Sequence, residues 1–186
     1  MHQRQLIREN IKDILIDAAT PAADRVYESR VAPLFKKKFY ENLPAIVIYT
    51  SSTSTEIFNE APRDYKHSVT VQIEVVASAN EDLDDLLDDI AKQIEQALYV
   101  NNRLPSKADP SICAAAETIL RSTQLSLDPN GETFIGSARL EWEVWYWEGA
   151  PEGVATEAFE QLNDTWNLDN NQHEDDQAED QIELDQ

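Results

Sequence analysis

The chain has 186 residues and a formal net charge of −21, which fits one domain of ordinary size with extensions. The negative charge disfavours sequence-specific DNA binding and anionic membranes. A single cysteine cannot form an internal disulfide bond, and no apolar stretch approaches the roughly 20 residues that cross a bilayer. Charged residues also interrupt the first apolar positions, unlike a secretion signal. These features predict a soluble protein made in the cytoplasm.

The acidic residues are concentrated toward the C-terminus. Residues 1–139 carry 15 basic and 21 acidic residues, whereas residues 140–186 carry 15 acidic residues and no basic ones. The first part is therefore only mildly acidic, and the second is a candidate acidic extension.

The first third of the chain predicts one helix and two strands. Residues 3–19 place apolar side chains at helical spacing, and Pro21 ends the pattern. Residues 25–31 predict a short strand, and residues 32–43 a loop. The run at 44–50 is short, continuous and rich in β-branched residues, which is typical of a buried strand. A polar Ser/Thr stretch follows it.

The middle of the chain predicts a strand followed by a helix. Residues 65–77 alternate between apolar and polar side chains, which predicts a strand with one dry face. Asn80 is the expected N-cap of a helix at about 81–98, and the acidic residues in its first turns suit the positive end of the helix dipole.

Two further strands, at 116–127 and 133–147, form a predicted hairpin. The Asp128-Pro129-Asn130-Gly131 segment between them has residues that favour a turn. In the second strand Trp142 shares the apolar face, and Trp145 and Trp147 fall on the opposite, charged face. Beyond this hairpin, residues 155–166 predict a short helix.

The last residues are strongly polar. From 167 onward the chain carries too few apolar side chains to offset its ordering entropy, so we expect disorder or induced order there. Taken together, the elements predict an α+β fold: a mainly antiparallel β-sheet with two helices packed on one face, plus an acidic C-terminal extension. The expected organisation is a domain at residues 1–150 and an extension at residues 151–186.

The sequence offers no recognisable catalytic, cofactor or metal site. Its four glycines form no phosphate-binding loop. His67 is best interpreted as a strand histidine, and Cys113 as a small buried residue without a nearby histidine. The acidic residues at 82–89 fit a solvated helix face rather than a calcium loop. We therefore expect no enzyme activity, no catalytic residue and no cofactor or metal.

Two features instead indicate contacts with other proteins. Trp145 and Trp147 lie on a face that is otherwise charged, and exposed large aromatic residues commonly mark interfaces. Lys36, Lys37 and Lys38 form the only basic run; it is either a solvated loop or a contact with an acidic partner or with passing DNA phosphates.

The order of these elements resembles a family of phage proteins. The pattern consists of an opening helix, a Pro-Ala-aliphatic-Tyr strand, a long alternating strand, an acidic-start helix and a closing Trp-containing strand. The segments are Leu6-Ile7-Arg8, Leu43-Pro44-Ala45-Ile46-Val47-Ile48-Tyr49, Val69-Thr70-Val71-Gln72-Ile73-Glu74-Val75, Asp82-Leu83-Asp84-Asp85-Leu86 and Leu140-Glu141-Trp142-Glu143-Val144. Over roughly residues 3–147 the chain is similar to the tail terminator proteins of long-tailed bacteriophages, the group that includes minor tail protein U of lambda-like phages. The acidic extension departs from that pattern.

The resemblance implies a structural virion protein. Members of such a family form a ring, expected to be hexameric, that caps the tail tube, ends its polymerisation and provides the surface for head joining. The implied partners are other copies of the chain, the tail tube protein and the head-tail connector protein, with DNA only passing through the lumen and no membrane. The implied location is the head-proximal end of the virion tail, after assembly in the host cytoplasm.

Two other interpretations remain open. The chain can be a head-tail connector or tail-completion protein of the neck, which shares this size and acidity. It can also be a small metal-dependent hydrolase that uses the carboxylates at 82–89, although this needs His or Cys ligands that the sequence does not place nearby.

Overall fold

The first compact unit of the chain holds the helices and the main sheet. The computed structural model describes residues 2–29, 43–60, 63–79, 81–128, 134–149, 162–167 and 177–182. The chain divides into two units, Met1–Gly149 and Ala150–Gln186. The elements of the first unit are α1 (Gln3–Asp17), β1 (Val26–Glu28), β2 (Ala45–Glu60), β3 (Arg63–Ala79), α2 (Leu83–Val100), β4 (Glu117–Asp128) and β5 (Phe134–Gly149).

The five strands form one mostly antiparallel sheet with the order β1-β2-β3-β5-β4. Only β1 runs parallel to its neighbour, and it pairs with just three residues of β2, Ile46 to Ile48. Buried side chains of both helices join those of the strands in one hydrophobic cluster, so α1 and α2 cover the same face of the sheet. The predicted α+β fold is confirmed.

Helix α1 begins with a well-formed cap. The backbone N–H of Arg4 donates to the side chain of His2, and the Gln5 side chain accepts from the His2 backbone, which completes a capping box. Ile7, Ile11 and Leu15 are fully buried at helical spacing, so burial of this stripe against the sheet stabilises the helix.

Helix α2 starts two residues later than the sequence indicates. Its N-cap is Asp82, in a left-handed conformation with φ of 54° and no side-chain cap bond. The expectation that Asn80 is the cap is therefore wrong; Asn80 itself lies outside the described residues. Leu83, which is 5% exposed, begins the buried stripe of the helix. Burial of this leucine, rather than a capping side chain, fixes where α2 begins.

The centre of the core is Trp142 on β5. Its side chain is fully buried on the helix-covered face, and the ring of Tyr99 meets it edge-on at 5.6 Å between centroids. Alternate residues of β3 and β5 flank it, which confirms the predicted dry faces of both strands; the buried ones are Val69, Val71, Ile73, Val75, Ala138, Leu140 and Val144.

Strand β2 runs much further than its apolar segment. It continues through the polar stretch to Glu60, and residues 51–60 are all exposed. This half of β2 pairs with the first half of β3, which in turn pairs with the end of β5. Residues 51–60, 63–68 and 144–149 thus form a three-stranded extension of the sheet, called the arm below.

The second unit contains a two-stranded antiparallel sheet. Strand β6 (Leu162–Asn167) pairs with β7 (Gln177–Ile182). The sequence predicts a helix that includes 162–166 and disorder or induced order from 167, whereas the backbone at 162–167 and 177–182 is extended and paired. Each short segment supplies the other's backbone hydrogen bonds, a pairing that local side-chain periodicity does not reveal. The rest of the predicted helix, residues 155–161, lies outside the described residues.

Candidate interface on the arm

The tryptophans of β5 occupy three different environments. Trp142 faces the helices, whereas Trp145 and Trp147 lie on the opposite, outer face of the sheet, as the alternation of the strand predicts. Trp145 is half-buried, and Trp147 is 48% exposed. The two outer residues therefore differ in how much surface they offer to a partner.

Trp145 is held by contacts within the chain. The ammonium nitrogen of Lys66 lies 3.7 Å from the centroid of its ring, a cation–π contact that covers one face of the indole. Ser68 and Glu117 lie directly opposite it on the two neighbouring strands. These contacts leave Trp145 little free surface.

Trp147 forms an exposed cluster with Phe58. The two rings meet edge-on with centroids 6.1 Å apart, and Phe58 is 67% exposed. Phe58 lies at an irregularity in the pairing of β2 with β3, between Ile57 and Asn59. Ile57, which is 57% exposed, is next to it in the chain. We call Phe58 and Trp147 the aromatic patch.

Sequence reasoning predicted only part of this patch. Phe58 follows a run of Ser and Thr that gives no apolar alternation, so nothing local indicates a strand there. The available signal is indirect: a strand that continues through the polar run would place Phe58 beside the end of β5. Two exposed aromatic rings in contact at the end of an arm are the strongest interface feature among the described residues.

Beside the patch, a polar network joins β3, β5 and β4 on the outer face. The Ser68 hydroxyl donates to Oε1 of Glu143 at 2.5 Å, and the guanidinium of Arg121 pairs with Oε2 of the same carboxylate. Hydrogen bonds from Ser68 and from the Trp145 side chain, together with Arg121, lower the pKa of Glu143 to about 2. The network therefore keeps Glu143 charged and fixes the base of the arm.

A polar cleft lies on the other face of the arm, next to the start of α1. It encloses about 720 Å³, and His2, Arg4, Thr55, His67, Tyr146 and Glu148 are among the residues that line it. The ring of His67 stacks on Tyr146 at 4.7 Å between centroids. Burial raises the pKa of the Tyr146 hydroxyl above its usual value, the Glu148 carboxylate raises it further, and Arg4 opposes them.

The cleft brings a hydroxyl, an imidazole and a carboxylate together. Oγ1 of Thr55 lies 2.9 Å from Nδ1 of His67, and Nε2 of His67 lies 3.5 Å from a Glu148 oxygen. Thr55 is exposed, and the Glu148 side chain is 66% exposed. Both ends of this chain of contacts are therefore open to solvent. The contacts link β2 to β3 and β3 to β5 across the arm.

The other residues singled out from the sequence do not join either site. Lys36, Lys37 and Lys38 lie outside the described residues. Cys113, expected to be buried, is half-buried. The acidic residues at 82, 84, 85, 88 and 89 are exposed along α2, and within the described ranges no three His, Cys, Asp or Glu side chains come together as metal ligands do.

The described helices include none with the length and apolarity needed to cross a membrane. In comparisons with known proteins, no family model matches the chain, and no curated protein matches it.

Proposed function

We propose that this chain is a tail terminator of a long-tailed bacteriophage: a subunit of a ring, expected to be hexameric, that caps the tail tube. The ring ends tube polymerisation and presents the surface that the head joins. Its partners are other copies of itself, the tail tube protein and the head-tail connector protein, and its place is the head-proximal end of the virion tail.

The exposed aromatic patch is the observation that carries this proposal. Large rings held in contact with each other at the end of an arm lose little conformational freedom on binding, and burying them gives most of the energy of a typical interface. Phe58 and Trp147, at the end of the arm, are 67% and 48% exposed, so both rings are accessible to a partner. These features support an assembly role, and the resemblance in element order supports the assembly being a tail terminator ring.

The mass of the assembly in solution tests the ring. Size-exclusion chromatography with light scattering is expected to give several copies of the 21.1 kDa chain in one closed species. A single-copy species at all concentrations contradicts the proposal.

The particles made without the protein test its role in the tail. Deletion of its gene from the phage that encodes it is expected to give overlong tubes in electron micrographs, because nothing then stops tube growth. Tubes of normal length without heads assign the chain to the connector group instead, and normal infectious particles contradict both roles.

A further inference from the structure

Among the described residues, the sheet of the first unit has two long open edges. On one side, β1 pairs with Ile46 to Ile48 of β2, and residues 51–60 of β2 have no paired strand on that side within the described ranges. On the other side, the pairing of β4 in the described part of the chain is with β5. Irregularities in pairing interrupt both edge strands. In β2 the regular run between two of them is residues 52–57. In β4 the regular run that follows one is residues 122–128.

The backbone groups that point outward on each edge follow from the ladder. The N–H of Ile46 donates to the carbonyl of Arg25, just before β1, so Ile46 bonds away from β3. Alternate residues of β2 bond to β3, and after the irregularity between Thr50 and Ser52 these are residues 52, 54 and 56. Thr53, Thr55 and Ile57 therefore direct their N–H and C=O groups to the open side.

The same reasoning applies to β4. The carbonyl of Trp145 accepts from Ala116, so the register makes residues 122, 124 and 126 bond to β5. Thr123, Leu125 and Leu127 are then the outward-bonding residues of β4.

We propose that these two edges bind each other between copies: residues 52–57 of one copy pair, antiparallel, with residues 122–128 of the next. The strands β2, β3, β5 and β4 alternate in direction, so β4 of one copy beside β2 of another in the same orientation continues the alternation. Both sheets then keep their helices on one side. This inference rests on the ring of the proposed function and adds the sheet edges to the aromatic patch as a surface that joins its copies.

The side chains on the two edges suit each other. Ile57 faces the helix side of the arm, and Leu125 and Leu127, 44% and 48% exposed, face the helix side of β4. A joined sheet therefore brings exposed aliphatic side chains together on one face. Neither regular run contains Pro or Lys, the residues that commonly protect a free edge from pairing.

A second copy is the occupant because one chain carries both halves of the contact. Two different edges on opposite sides of one sheet make a head-to-tail contact, which closes into a ring when its rotation permits. An edge that accepted an unrelated strand would leave the opposite edge of the same sheet open.

Proline substitution tests the pairing. Thr53→Pro and Thr123→Pro each remove an outward N–H and spare the bonds to β3 or β5, and each is expected to reduce the assembly to single copies in light scattering. Thr53→Ala and Thr123→Ala keep the N–H and are expected to retain the wild-type mass. A 1:1 mixture of the two proline variants is expected to give dimers and nothing larger, because each variant keeps one intact edge.

Hydrogen exchange of the wild-type protein gives the same answer without a substitution. The amides of Thr53, Thr55, Thr123 and Leu125 are expected to exchange about tenfold or more slowly in the assembly than in diluted single copies. Edge pairing is overturned if both proline variants keep the wild-type mass, or if these amides exchange fast in an intact ring. Either result is still compatible with a ring. A wild-type chain that never assembles overturns both proposals.

Discussion

At the scale of single residues, Trp145 and Trp147 share one face of β5 but have different surroundings. Lys66 covers the ring of Trp145, whereas the ring of Trp147 meets Phe58 edge-on and is about half exposed. The sequence places both residues correctly, since strand alternation alone determines the face. It does not distinguish them, because Lys66 and Phe58 approach from strands distant in the chain.

This difference predicts opposite effects of truncation. Trp147→Ala is expected to weaken self-association by about tenfold or more, as removal of an exposed aromatic anchor does, and to leave the melting temperature nearly unchanged. Trp145→Ala is expected to lower the free energy of unfolding by about 1–2 kcal/mol through lost packing and cation–π contact. Light scattering and thermal melting of both variants separate the two effects. If Trp147→Ala assembles as strongly as the wild type, the aromatic patch is not a self-association surface.

Glu143 predicts a pH-dependent contribution to stability. Its pKa is about 2 in the folded chain against an ordinary value of 4.5, so the charged carboxylate stabilises the fold above pH 4.5. That contribution is lost as the pH falls from 4.5 toward 2, where the carboxylate takes up a proton. Glu143→Gln is expected to cost about 1–2 kcal/mol at pH 7, after allowance for solvent screening, and much less near pH 2.

Urea unfolding of wild type and Glu143→Gln across this pH range measures the effect. Glu141→Gln, two residues away on the same face, is the matched control and is expected to change stability by less than about 0.5 kcal/mol. A difference between wild type and Glu143→Gln that does not shrink as the pH falls contradicts the network's role.

At the scale of elements, the sequence predicts those whose side chains alternate or repeat regularly. Helix α1, strand β3 and the β4–β5 hairpin agree with their expected positions because burial on one face imposes the period. The second half of β2 does not, since its Ser and Thr residues are extended through pairing with β3 rather than through burial. The start of α2 differs for a related reason: the first buried leucine, not a capping side chain, determines it.

Gly136 lies where β5 packs closely against side chains of α2 and β4. A Cβ there would lie 2.8 Å from side-chain carbons of both Leu127 and Leu87. Gly136→Ala is therefore expected to lower the free energy of unfolding by about 1 kcal/mol, because these leucine ends must move, and Gly136→Val by more. Gly149→Ala is the control: its Cβ would meet only an Asp64 oxygen at 3.6 Å. Chemical denaturation measures both, and equal stabilities contradict the close approach.

At the scale of the whole molecule, the core belongs to the first unit. The buried cluster draws on residues 7 to 146, and Met1–Gly149 forms a compact unit by itself. Truncation after Gly149 is therefore expected to leave a cooperatively melting domain, as circular dichroism can measure. Loss of the cooperative transition would show that the acidic extension is needed for folding.

The candidate site is harder to predict at this scale than the fold. Alternation places Trp145 and Trp147, but the aromatic patch also needs Phe58, and the cleft needs residues from α1, β2, β3 and β5. These side-chain contacts depend on which strands are neighbours in the sheet. Strand order is a long-range property that the local pattern of one sequence does not predict.

The full burial of Trp142 has an optical consequence. Its indole nitrogen is buried without a hydrogen-bond partner among the described residues, and its ring is inaccessible to solvent. A variant that keeps only this tryptophan should fluoresce at short wavelength and resist quenching by iodide. It would then report loosening of the sheet interior, while a variant that keeps only Trp147 would report what covers the arm.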